Sequence, residues 1–175
     1  MRKIALAWLA IASLSAAVLG WAPAALAQSA SGNITARASV LTPVTVTPQQ
    51  DLDFGNVIPG TNKTVAITTA TAGRWLVQGT AGAEVSLAMT ALPSSLASGA
   101  NTLPIVYGAT AAGRNTTNNP GGATTFDPAV GAIANIGSPV ATLFVWIGGT
   151  VQPAAAQASG LYTGTITLQT TYTGN

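Results

Sequence analysis

The sequence predicts an all-β fold. Beyond residue 27, apolar residues recur at a spacing of two or in short runs, clusters of Gly, Pro, Asn and Thr separate those runs, and no helical period is sustained.

The first 27 residues read as an export signal. Arg2 and Lys3 form a positive start, Ile4 to Leu19 an apolar run, and Ala25-Leu26-Ala27 a small-x-small cleavage site. The apolar run is shorter than a bilayer span and no stop-transfer segment follows, so the expectation is Sec export of a mature chain 28–175, one β-sandwich domain, to the periplasm, cell surface or exterior. Membrane insertion of the mature chain is not expected.

A first strand is predicted over 33–47, with Ile34, Ala36, Ala38 and Val40 on one side and Val44 and Val46 continuing past a kink at Pro43. Leu52-Asp53-Phe54-Gly55 leads into a turn at 57–60. Strands follow over 64–69, 74–79, 84–90 (Val85, Leu87 and Met89 inward) and 103–107. The Gly-, Asn- and Thr-rich stretch 108–128 reads as a long surface excursion, after which Ile133 and Ile136 tie a short extended piece to the core. ATLFVWIGG, 141–149, is a nearly continuous apolar run and so a central strand, covered on both faces or lying at a sheet-sheet junction. The last sixteen residues, GLYTGTITLQTTYTGN, alternate, with Tyr162, Gly164, Ile166, Leu168 and Tyr172 on one side. Short strands at this spacing fit an antiparallel two-sheet sandwich of immunoglobulin-like type, with an up-and-down barrel as the alternative.

Composition excludes several classes of function. The chain has no histidine and no cysteine, so the usual nucleophile-base pairs are missing and stability comes without disulfides. An enzyme is therefore not expected, and no cofactor is implied. Past residue 27 the bases Arg37, Lys63, Arg74 and Arg114 balance Asp51, Asp53, Glu84 and Asp127. That near-neutrality removes the clustered basic face of a nucleic-acid binder. Asp51 and Asp53 project the same way on an extended segment, but two carboxylates without further acids make a poor set for a hard cation, and the reading is a turn before Leu52 and Phe54 enter the core. A surface this poor in charge repels copies of itself weakly.

The order of an alternating N-terminal strand, LDFGNVIPG with TVAITT after it, and a terminal GLYTGTITLQTTY resembles small exported bacterial β-sandwich proteins of a domain-of-unknown-function family, akin to spore-coat-U-like proteins and archaic chaperone-usher pilins. The resemblance implies an incomplete, pilin-like sandwich in which the N-terminal strand of one subunit fills a groove beside the final strand of the next. It also implies a periplasmic chaperone and usher as alternatives to plain self-association. Gly160 and Tyr172 stand at the twelve-residue interval found in such pilins; the cysteine pair of many of them is absent.

The resulting expectation is a secreted structural subunit of a fimbria-like or coat-like assembly. Its donor strand is Ile34, Ala36, Ala38 and Val40; its acceptor edge is Val145, Ile147, Gly160, Tyr162, Gly164, Ile166, Leu168 and Tyr172. The alternative is a closed monomeric binding module that contacts a glycan or partner protein through 108–128, with Arg114, Asn115 and Phe126 as contacts.

Overall fold

The structure, a computed structural model, describes residues 29–174. The expected signal segment, 1–27, lies outside them. Residues 29–38 carry no strand and are exposed, and Ser39–Asn175 form one compact unit.

That unit is all-β: β1 (Thr45–Gln50), β2 (Lys63–Val65), β3 (Gly73–Gln78), β4 (Glu84–Ala91), β5 (Ser95–Ser98), β6 (Asn101–Val106), β7 (Ala112–Asn115), β8 (Thr124–Phe126), β9 (Ala132–Asn135), β10 (Thr142–Ile147), β11 (Gly149–Val151) and β12 (Thr167–Tyr172). Every pairing among them is antiparallel. They form a five-stranded sheet β1-β3-β10-β7-β8, a four-stranded sheet β2-β11-β6-β5 and a three-stranded sheet β12-β4-β9.

The main core lies where the five- and three-stranded sheets face each other. Trp75 and Val77 of β3 and Leu143, Val145 and Ile147 of β10 meet Val85 and Leu87 of β4, Ala134 of β9 and Leu168 of β12. Alternate residues along each strand point inward, and each large side chain buried here contributes roughly 1.5–3 kcal/mol. A second cluster, with Phe54, Val65, Leu103, Ile105 and Val151 at its centre, packs on the four-stranded sheet.

The three antiparallel sheets fit the expected β-sandwich, and Gly148 divides the apolar run between two of them. A Cβ at Gly148 would collide with the Val65 carbonyl oxygen, and there the chain leaves the five-stranded sheet for the four-stranded one. The part before it, β10, is the middle strand of its sheet and is covered on both faces. Trp146 stacks on Phe144 at 6.0 Å and is only 3% exposed.

Other boundaries also differ. The strand expected over 33–47 begins only at Thr45, and the irregularity expected at Pro43 falls at Pro48, where the register of this edge strand slips before Gln50; a proline has no ladder donor, so it sits at a bulge. The strand expected over 64–69 stops at Val65, since Thr69 N–H donates to Ala66 O (2.9 Å) and turns the chain. Ile136 is buried but Ile133 is half exposed. Three residues apart, the two fall on opposite faces of a strand of period two.

The largest correction concerns 108–128. In place of a long excursion the structure has β7, a 3-10 turn at Pro120–Gly122 and β8, which extend the five-stranded sheet beyond β10. The residues of β7, AGRN, carry no apolar alternation. Gly113 is required for closeness, since a Cβ there would stand 2.6 Å from Ile67 Cδ1.

Candidate functional site

Between the two apolar clusters the unit is not closed. A cleft of about 1100 Å³ opens there, and its lining includes the core side chains Trp75, Leu103, Ile105, Ile147 and Val151. Two stretches border it: residues 51–57, which follow β1 and carry no strand, and 157–166, which precede β12 and touch β5 through an isolated bridge at Thr163.

Local bonds hold both borders. In the first, the Gly55 N–H donates to Asp53 Oδ1 (2.6 Å), with Gly55 at φ +58°, a left-handed position suited to glycine. Asp53 N–H donates to Thr71 O (3.0 Å), and Lys63 Nζ donates to Asn56 O (2.9 Å). This turn drops Phe54 into the second cluster and leaves Asp51 and Asp53 exposed at the rim.

In the second border, Gln157 Nε2 donates to Thr102 O (3.0 Å) and to the Tyr162 hydroxyl (2.7 Å), and that hydroxyl donates to Ala158 O (2.8 Å). Thr163 exchanges two backbone bonds with Ala97 of β5 (2.8 and 2.9 Å). Gly164 allows the close approach: a Cβ there would meet Leu96 Cδ2 at 2.8 Å. Past this point the chain becomes β12, which has β4 as its one strand neighbour among the described residues and stands at the end of its sheet. Its far edge presents backbone groups available for pairing.

Of the expected acceptor residues, the structure brings Ile147, Gly160, Tyr162, Gly164 and Ile166 to the cleft. Val145 and Leu168 do not line it; both are core, the consequence of inward alternation on strands already covered. Tyr172 is a clamp. Its hydroxyl accepts from Thr80 N–H (2.7 Å) and donates to Thr42 O (2.7 Å), while Thr42 N–H donates to Thr80 Oγ1 (2.7 Å).

Sequence reasoning missed the cleft contributions of Trp75, Leu103, Ile105 and Val151, whose apolar character signals burial alone. It read 52–55 as a turn entering the core, which the structure bears out for Phe54.

The donor residues Ile34, Ala36, Ala38 and Val40 are exposed, Ile34 to 97% and Val40 to 96%.

The expected loop contacts are committed internally. Asn115 donates to Asn119 O (3.1 Å) and accepts from the Thr117 N–H (3.1 Å). Phe126 is half-buried against the main core, correcting its reading as an exposed contact. Arg114 is half-buried on β7, with its Nε buried and without a hydrogen-bond partner among the described residues.

The model of the domain of unknown function DUF4402 matches residues 44–172, and the chain belongs to that family. Neither the curated proteins nor the solved structures return a match. The matched region begins at β1 and ends with β12, so it includes both borders of the cleft and leaves out 29–43.

Proposed function

We propose that this member of the DUF4402 family is an exported structural subunit that joins its neighbours by strand addition, in the manner of spore-coat-U-like proteins and archaic chaperone-usher pilins. The observation that carries the reading is the open, largely apolar cleft of about 1100 Å³ beside residues 157–166, which lead into the last strand. It occurs in a chain whose segment ahead of β1 keeps Ile34 and Val40 in solvent.

An extended segment laid along such a cleft pairs its backbone with an open edge and sinks alternate side chains into the floor. Each ladder bond contributes about 0.5–1.5 kcal/mol net, and apolar burial adds roughly 25 cal/mol per Å². A donor on one surface and an acceptor on another make a heterologous contact, which propagates into an open filament where it does not close into a ring.

The test is light scattering of the exported chain beside an Ile34→Asp/Val40→Asp variant. Both positions are exposed, so the variant keeps its denaturation midpoint. Concentration-dependent oligomers are expected for the natural chain and monomers for the variant; equal assembly by the two overturns the reading.

A further inference from the structure

The cleft and the N-terminal segment are charged in complementary ways. The charged residues lining the cleft are Asp51 and Asp53, both exposed on the same border. The segment 29–41, SASGNITARASVL, carries a single charge, Arg37. In extended form Ile34, Ala36, Ala38 and Val40 share one side, and Arg37 lies on the other. A strand with its apolar side on the cleft floor therefore turns Arg37 outward, toward the exposed rim where the two carboxylates sit.

We propose, resting on the strand-addition reading above, that the occupant of the cleft is the 29–41 segment of a second copy, held in register by its Arg37 against Asp51 and Asp53 of the acceptor. Chain reach favours the segment of a second copy over that of the same one. Thr42 is fixed by its bonds to Tyr172 and Thr80, and from Thr42 the chain runs through β1 toward the cleft, which Pro48, Gln50 and Asp51 already line. A segment returning to its own cleft must reverse. The tightest reversal, a four-residue turn over 39–42, sets Arg37 opposite Val44, about 23 Å along the chain from Asp51 at strand rise. That run exceeds the reach of an arginine side chain, so the pairing is assigned to two copies.

The experiment uses the full chain carrying Ile34→Asp/Val40→Asp as acceptor, so that its own segment does not compete, and a fluorescent peptide of residues 29–41. At low salt the natural peptide binds, and Arg37→Glu weakens it about five- to tenfold, the effect of reversing an exposed ion pair. An acceptor also carrying Asp51→Lys and Asp53→Asn inverts the preference; the asparagine keeps the Oδ1 that accepts from Gly55. The difference shrinks in 0.5 M salt as screening shortens to about 4 Å. If the Arg37→Glu peptide binds like the natural one, the register is overturned while strand addition stands. If the natural peptide does not bind, strand addition itself fails and takes the register with it.

Discussion

The hydroxyl of Tyr172, at the end of β12, lies 2.7 Å from the carbonyl oxygen of Thr42, and so ties the last strand to the point where the chain enters β1. The same hydroxyl accepts from Thr80 N–H at 2.7 Å. The clamp joins residues 130 apart in the chain and fixes Thr42 just ahead of β1.

Tyr172→Phe strips two backbone groups of their partner while keeping the ring. Losing the part-buried bond from Thr80 N–H and the exposed one to Thr42 O costs about 1–2 kcal/mol, and urea denaturation should show a loss of that size. Gly79→Ala should act in the same direction, because its Cβ would run into the Tyr172 hydroxyl.

Tyr107 packs against both apolar clusters, and its buried hydroxyl has no hydrogen-bond partner among the described residues. Burial pushes its pKa up to about 12 from an ordinary 10.0. The unfolded chain therefore gives up this proton first. The contribution is complete below pH 10.0 and is lost as pH rises toward 12. Tyr107→Phe should remove that part of the alkaline destabilisation and, by deleting an unpaired polar group, raise stability at neutral pH by about 1 kcal/mol. Denaturation midpoints measured between pH 7 and 12 check both.

Gly164→Val places side-chain atoms where Leu96 Cδ2 stands 2.8 Å and Pro93 Cγ 3.3 Å from the new Cβ. The 157–166 border should be pushed off β5, weakening the Ala97–Thr163 pairing. Overpacking of this kind costs about 1–3 kcal/mol. Binding of the 29–41 peptide should fall with it, as fluorescence anisotropy would show.

Asn115→Ala removes the bonds that shape the turn between β7 and β8. A stability loss of about 1–2 kcal/mol is expected from these partly exposed bonds, with no change in oligomer size by light scattering. A changed oligomer size would favour recognition through 108–128.

How far the sequence disclosed all this depends on the signal each residue leaves. β4 and β10 are legible because Val85, Leu87, Phe144 and Trp146 repeat at strand spacing, and covering both faces of β10 requires its unbroken apolar run. β7 and β8 are not, since Ala112, Gly113 and Thr124 to Thr125 join the sheet through backbone pairing and closeness, which leave no hydrophobic period. The acceptor border is half legible: Tyr162, Gly164 and Ile166 line the cleft, but so do Leu161, Thr163 and Thr165, and the alternation continues through Leu168 into the closed core without marking where one becomes the other. Trp75, Leu103 and Ile105 were legible as buried, whereas the empty space over them follows from how the sheets are set, which single residues do not encode.

The most direct measurement of the central claim is a photo-crosslinking residue at position 38 in an equal mixture of ¹⁴N- and ¹⁵N-labelled chains, with mass mapping of the products. Cross-links between differently labelled chains, landing on residues 50–57 or 157–166, are the expected result. Cross-links confined to single chains, or landing between chains away from both cleft borders, would contradict the account.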